Sequence, residues 1–243
     1  MRGIFFLDKS GKNMYNIGGK HIQIMERLEG SAMSAVWSVL LSYLIGNVNP
    51  AYIAAKIRGF DIRKSGSGNA GASNAVITMG KKVGAAAALF DIVKAYFAVR
   101  LCVFLFPQLR YAAELSGTSC IVGHIFPVFM GFRGGKGLAS LAGVVLAFSP
   151  QLFVLMLLGA IIIAFLTDYI CFVTISASIA FPLLYGIMTE QLTGVLIYAV
   201  IAVMIPCKHI SNLRRIANGT EAHISFLWKR DEEIERLSRH HKN

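Results

Sequence analysis

The chain reads as an all-α polytopic membrane protein, with about seven transmembrane helices in one bundle. Three observations lead there. Of its 243 residues, 55% are hydrophobic and only 15% charged, against about 25% charged in a soluble domain. Polar side chains are therefore too few to cover a globule, and mean hydropathy is +0.59. Apolar runs near twenty residues recur from Ser34 to Cys207, the length at which a helix crosses the hydrocarbon core. Cations flank these runs, as membrane topology requires. No polar linker separates the runs, so one bundle is expected rather than two domains.

Residues 1–32 differ from the rest of the chain. They are mixed polar, carry Arg2, Lys9, Lys12, Lys20 and Arg27, and lack the basic, apolar and small-residue order of a signal peptide. They are expected to be a disordered extension or to lie upstream of the true start. Codons for Glu29-Gly30 can spell a purine-rich ribosome-binding sequence just before Met33, where the first clean apolar segment opens. Protein made from the native gene should then begin at Met33. An intact mass that includes residues 1–32 would overturn this.

Seven spans are expected, over about 34–57, 83–106, 112–131, 137–149, 150–167, 169–188 and 191–207. The fourth is short for a crossing, hence tilted or partly re-entrant. Gly46, Pro50, Pro182 and Pro206 lie inside spans, where neighbouring helices can satisfy the backbone groups they free. Residues 33–223 then form the membrane domain and 224–243 a charged tail. An odd number of spans leaves the ends on opposite sides. One set of loops holds Lys56, Arg58, Arg63, Lys64, Lys81, Lys82, Arg133 and Lys136, with eight more cations after residue 207. The opposite loops hold little beyond Arg110 once residues 1–32 are set aside. The cation-rich loops and the tail are therefore expected in the cytoplasm.

The net charge of +11 does not indicate nucleic acid, because no basic–aromatic stripe accompanies it. Cys102, Cys120, Cys171 and Cys207 sit in apolar runs without CxxC spacing and read as reduced packing residues. No set of carboxylates, histidines or cysteines has ligand spacing, so neither a metal nor a cofactor is expected.

Three polar clusters fall on the cation-rich side. The first runs from Arg63-Lys64-Ser65-Gly66-Ser67-Gly68-Asn69 to Ala70-Gly71-Ala72-Ser73-Asn74. Its glycines let the backbone approach an anion closely, and successive N–H groups can form a phosphate nest. Gly66-x-Gly68-x-x-Gly71, with Asp91 about twenty residues on, imitates a dinucleotide fingerprint. That fingerprint needs a preceding strand, and these flanks read as membrane helices. The second cluster spans Gly123-His124 to Phe132-Arg133-Gly134-Gly135-Lys136-Gly137. Glycines and a lysine at a helix mouth again suit phosphate, although the Walker spacing is absent. His124 is either a ligand group or a cap on a backbone carbonyl. The third cluster is His209-Ile210-Ser211-Asn212-Leu213-Arg214-Arg215, continuing to Asn218-Gly219-Thr220-Glu221. If helical, His209, Asn212 and Arg215 share a face; otherwise it is a basic helix holding lipid headgroups. Lys94 is a functional candidate because intramembrane charge is expensive, with an ion pair to Asp91 as the alternative.

In this order, GSGNAGASN, GHIFPVFMGFRGGKG and HISNLRRIANGTE resemble the three signature motifs of the PlsY family, bacterial acyl-phosphate:glycerol-3-phosphate acyltransferases. The similarity runs from about Tyr43 to Glu221. It implies a seven-helix enzyme of the bacterial cytoplasmic membrane, with its active face cytoplasmic, making lysophosphatidic acid in the first step of phospholipid synthesis. The substrates implied are acyl phosphate and glycerol 3-phosphate, with a soluble enzyme upstream supplying the donor. By resemblance, Ser67, Gly68, Asn69, Gly71 and Ser73, with Gly134, Gly135 and Lys136, hold acyl phosphate. Lys136, His209, Asn212 and Arg215 hold glycerol 3-phosphate. Lys136, Ser67 and Asn212 carry the catalysis, and Asn74, Lys94 and His124 are further candidates. The chain has no G-x-S-x-G elbow, consistent with direct attack on an already activated carbonyl.

The chain departs from the family pattern at several positions, and two of them, Ile77 and Cys171, lie where the resemblance places acceptor contacts. Ile77 stands where the family has arginine, and Asp168-Tyr169-Ile170-Cys171 where it has Arg-Tyr-Val-Ser. Gly46-Asn47-Val48-Asn49 replaces Gly-Ser-Ile-Pro, with Pro50 displaced, and Ser73 replaces threonine. Losing a fixed cation weakens a phosphate site, so the donor side is the better preserved. Competing readings are a relative using acyl phosphate with another acceptor, a phosphate-compound transporter, and a non-catalytic scaffold. A transporter would show an internal repeat, and none is visible.

Overall fold

Helix is the only regular secondary structure among the described residues. The computed structural model describes residues 17–228, with side chains from Gly30 onward; the expectations for residues 1–16 and 229–243 lie outside it. The helices are α1 (Ile17–Asn47), α2 (Pro50–Ile57), α3 (Ala72–Met79), α4 (Lys81–Leu105), α5 (Ala112–Ile125), α6 (Leu138–Phe148), α7 (Pro150–Thr167), α8 (Ile170–Thr189) and α9 (Leu192–Ala217). The seven expected spans correspond to α1 and α4 through α9. Five stretches are long and apolar enough to cross a membrane: Gly30–Ile57, Ala112–Met130, Pro150–Thr167, Ile170–Thr189 and Leu192–Ala217. Helix α4 is long but carries Asp91, Lys94 and Arg100 within it, and α6 is short, with 11 residues.

Three boundaries differ from expectation, the first being that α1 begins at Ile17 rather than near residue 34, so that residues 17–32, expected as part of the extension, are helical. The first span is not one helix to residue 57, because α1 ends at Asn47 and α2 restarts at Pro50. The Asn49 side chain accepts a hydrogen bond from Tyr52 N at 2.8 Å, and proline at the first helical position needs no partner for a missing N–H. The last span does not stop at 207. Helix α9 continues through the third polar cluster to Ala217, and ends where Gly219 takes a positive φ of 70°.

Helices pair as α1 with α5, α4 with α6, and α8 with α9. Close crossing of the first pair rests on small residues: a Cβ on Gly123 would stand 2.2 Å from the Tyr43 carbonyl oxygen. The buried core joins Ala95, Cys120, Ile121, Leu141, Val144 and Ile201. Toward the other end, Phe148, Phe181, Tyr185 and Tyr198 form an aromatic cluster. Helix α7 buries only Leu152 and turns Leu155, Leu158, Ile162, Phe165 and Leu166 outward, as a lipid-facing helix does. The four cysteines are free; Cys102, Cys120 and Cys171 are buried and Cys207 is exposed.

Candidate active site

The first polar cluster is a loop wound around one buried amide. Asn74 Oδ1 accepts from Ser67 N at 2.8 Å. Its Nδ2 faces the carbonyls of Ile62, Ser65 and Asn69 at 2.9, 2.9 and 2.8 Å. Asn74 therefore shapes the loop from inside rather than offering itself to a ligand. Gly66 must be glycine here: its φ is +59° and a Cβ would meet Asn74 Oδ1 at 2.2 Å. Ser67, Gly68 and Ser73 lie exposed on the outside of this turn, Asn69 is half-buried and Gly71 buried. Arg63 is engaged elsewhere, gripping the Asp61 carboxylate at 2.8 Å and the Met130 carbonyl at 2.5 Å. That guanidinium holds the Asp61 carboxyl well below the usual carboxylate range, against the opposing cost of burial.

Beneath the loops is a buried polar triad. Lys94 Nζ lies 2.6 Å from Asp91 Oδ1 and 3.1 Å from His124 Nδ1. It also donates to the carbonyls of Gly46 and Val48, at 3.1 and 2.5 Å. Its approach to Asp91 is that of an ion pair rather than an aligned hydrogen bond. Lys94 thus satisfies the carbonyls left open at the α1–α2 break. At that break Asn47 Oδ1 accepts from Val128 N at 2.6 Å, and Asn49 Nδ2 donates to the Ala70 carbonyl at 2.7 Å. One break in one helix therefore anchors both the first and the second loop. The ion pair between Lys94 and Asp91 is present, and His124, left open between a ligand group and a carbonyl cap, turns its Nδ1 to Lys94 and Asp91. Gly135 packs on the same ring, since a Cβ there would stand 2.1 Å from His124 Nε2.

The second and third clusters meet at Lys136. Its Nζ donates to Asn212 Oδ1, and Asn212 Nδ2 donates to Glu221 Oε1 at 2.5 Å. Glu221 Oε2 in turn accepts from Arg215 Nε at 2.6 Å. Arg215 Nη2 is buried with no hydrogen-bond partner among the described residues. Such a donor is costly to leave unmet, and a phosphate oxygen would satisfy it. His209 is buried, and its Nδ1 donates to the Ile205 carbonyl at 2.9 Å, which leaves Nε2 as its free edge. Lys136 and Glu221 both act on His209 electrostatically. The first loop adjoins this cluster through glycine: a Cβ on Gly71 would lie 4.0 Å from Gly135 Cα.

Of the residues expected from sequence, Lys136, His209, Asn212 and Arg215 converge in one place. Ser67, Gly68, Asn69, Gly71 and Ser73 form the neighbouring loop, which Gly135 borders, while Gly134 packs on the backbone of His124 and Ile125. Asn74, Lys94 and His124 hold the framework below. Glu221 was not expected as a site residue, yet it links Asn212 to Arg215. The signal in the sequence is the Gly219 turn, which returns the chain onto Arg215: Thr220 N and Glu221 N both donate to the Arg215 carbonyl, at 2.8 and 3.2 Å.

The sequence profile described as glycerol-3-phosphate acyltransferase matches residues 36–219. The chain belongs to the glycerol-3-phosphate acyltransferase family. A family member from Thermoanaerobacter sp. (strain X514) is 37% identical over 191 residues, covering 78% of this chain and 96% of that one. One from Bacillus subtilis (strain 168) is 32% identical over 190 residues, covering 78% and 97%. The crystal structure of PlsY, an integral membrane glycerol 3-phosphate acyltransferase, in its glycerol 3-phosphate form superposes with a TM-score of 0.74 at 31% identity. That match covers 80% of this chain and 97% of that one. The lysophosphatidic acid form gives 0.70, covering 78% and 95%. The chain is thus an integral membrane protein of the acyltransferase family, with the all-helical fold read from its sequence.

Within this acyltransferase, three of the residues that depart from the family pattern, Ile77, Cys171 and Asp168, lie at separate points of the fold. Ile77, on α3, lines a cleft of about 700 Å³ with Arg58, Lys81 and Trp228. Cys171, in the first turn of α8, is buried and subject to the fields of Lys136, Arg215 and Glu221. Asp168 bonds to Ser225.

Lys136 lies outside the membrane-spanning helices, and its surroundings set a pH limit. Burial, reinforced by the Arg215 cation and opposed by Glu221, pushes its pKa down to about 8. The charge therefore leaves as pH rises through about 8, rather than near 10.4 as for a free lysine. Because kcat/KM reports the free enzyme, it should fall above about pH 8 in the native chain. In Lys136→Arg, which stays charged, this alkaline fall should vanish from the residual activity. A native profile flat to pH 10 would refute the assignment.

Proposed function

We propose that the chain transfers a fatty acyl group from acyl phosphate to the 1-hydroxyl of glycerol 3-phosphate, giving lysophosphatidic acid and phosphate. The observation that carries this reading is the cluster of Lys136 with Asn212, Glu221 and Arg215, whose buried Arg215 Nη2 lacks a partner among the described residues. Two cationic side chains and an exposed glycine loop beside them suit two substrates that both carry phosphate.

Acyl phosphate brings its own activated carbonyl, so no covalent enzyme intermediate is required. The hydroxyl oxygen attacks the carbonyl carbon, an ester C–O bond forms, and the mixed-anhydride C–O bond breaks. Phosphate leaves with the bonding electrons and takes up the hydroxyl proton. Lys136 and Arg215 offset the charge on the phosphates, and Ser67, Gly68, Asn69, Gly71 and Ser73 hold the donor in reach. The contribution of the protein is orientation and fixed charge. The excess of cations at these loops supports a cytoplasmic active face in the bacterial cell membrane, where a soluble enzyme can deliver the acyl phosphate.

The test is phosphate release from palmitoyl phosphate by the purified protein, with and without glycerol 3-phosphate, with products identified by mass spectrometry. The expected result is release that requires glycerol 3-phosphate and yields lysophosphatidic acid. Release indifferent to glycerol 3-phosphate would move the assignment to another acceptor, and absence of release would refute it.

A further inference from the structure

Beyond the site, the chain after Glu221 is fastened to the turn between α7 and α8. Asp168 closes α7 in the left-handed region, at a φ of 56°, which presents both its carbonyl and its carboxylate to the same short segment. The Asp168 carbonyl accepts from Ile224 N at 2.8 Å. Its Oδ1 accepts from Ser225 N at 2.8 Å and its Oδ2 from Ser225 Oγ at 2.6 Å. Tyr169 continues the attachment: its hydroxyl lies 2.8 Å from His223 Nε2, and the two rings pack at a tilt of 50° with centroids 4.8 Å apart. Three consecutive residues, 223–225, thus bind two consecutive residues, 168–169. A carboxylate that accepts both a backbone N–H and a hydroxyl from one residue is a strong and specific tether.

This attachment bears on the site through Glu221. Upstream, the backbone of Glu221 is tied to the Arg215 carbonyl. Downstream, His223 is tied to Tyr169. Glu221 is the carboxylate that orients both Asn212 and Arg215, so its position is fixed from both sides only while the attachment holds. The same turn starts α8, whose first turn carries Cys171 under the fields of Lys136, Arg215 and Glu221.

We propose that Asp168, with Ser225 and His223, is a latch that positions Glu221 and through it the acceptor-binding Asn212 and Arg215. Asp168 is a positioning residue and touches no substrate. The latch rests on the proposed function, in which glycerol 3-phosphate is the acceptor.

Opening the latch should loosen acceptor binding and leave the donor loop untouched, because Ser67 to Asn74 is held by Asn74 and by the α1 break. In full-length protein, Asp168→Ala should raise KM for glycerol 3-phosphate about tenfold, the scale of hydrogen bonds to a charged group. KM for palmitoyl phosphate should stay within a factor of about two. Ser225→Ala should show a smaller rise in the same direction, and Ser225→Thr, which retains the hydroxyl, should behave as native. Hydrogen exchange read by mass spectrometry over residues 222–227 should quicken in Asp168→Ala, which establishes that the latch has opened. Faster exchange with an unchanged KM for glycerol 3-phosphate overturns the proposal. So does a parallel rise in both KM values, which would mark general loosening. Native turnover that ignores glycerol 3-phosphate overturns the acceptor reading instead, and shows before any variant is compared.

Discussion

Lys136→Ala lowers kcat/KM for acyl transfer by about 10²–10³-fold, the usual cost of removing one group that stabilises developing charge. The loss exceeds that of an ordinary surface lysine because Lys136 is half-buried and sits where two polar clusters meet, bonded to Asn212. Its alanine variant also leaves Asn212 Oδ1 without that donor, so the amide is free to turn away from Glu221. Folding should survive, since Lys136 lies in a loop and its neighbours Gly135 and Gly137 carry the backbone geometry. Initial rates with both substrates varied, beside a thermal unfolding curve, check the prediction. A folded Lys136→Ala protein with activity within tenfold of native would remove Lys136 from the catalytic centre.

Lys94→Ala destabilises the protein by about 3–5 kcal/mol, because breaking a buried pair leaves an uncompensated charge. Asp91 and Lys94 side chains are 2% and 4% exposed, so water cannot take the place of the lost partner. The same substitution leaves the carbonyls of Gly46 and Val48 without their donor. Thermal unfolding in detergent is the measurement, and a loss below about 1 kcal/mol, typical of an exposed pair, would contradict the buried triad. The double variant Asp91→Leu/Lys94→Met should recover part of the loss, since an apolar pair of similar volume can replace an ionic one. The portion not recovered measures the carbonyl bonds at the helix break. Because that break anchors the Ala70 and Val128 backbones, activity should fall further than stability alone accounts for.

Much of this protein is legible in one dimension. Membrane helices declare themselves by composition, because each must hide its backbone in hydrocarbon over a length set by the bilayer; α7, apolar throughout, is the clearest case. Glycine-rich loops beside cations declare phosphate chemistry in the same local way, and Lys136 and Asn212 could be named from their clusters. Their convergence could not be read residue by residue, because it depends on α9 continuing past Cys207 to carry Asn212 and Arg215 up to Lys136.

Other features depended on partners far apart in the chain. Asn49 and Pro50 carry the signature of a helix start, yet the apolar run around them conceals the break that separates α1 from α2. Lys94 and His124 were visible as polar residues in apolar surroundings, but nothing local distinguishes a ligand from a brace. Only packing 30 residues apart in sequence gives that answer. Asn74 would pass for a phosphate donor until its amide is seen to be spent on the loop's own backbone. Glu221 gained its role when the Gly219 turn brought it against Asn212 and Arg215. Composition and local motif thus determined the membrane fold, the family and the phosphate chemistry, since these rest on short-range constraints. The tertiary structure alone decided which polar residues converge around Lys136 and which hold the framework. Buried donors and acceptors must be matched across the bundle, and that matching is invisible along the chain.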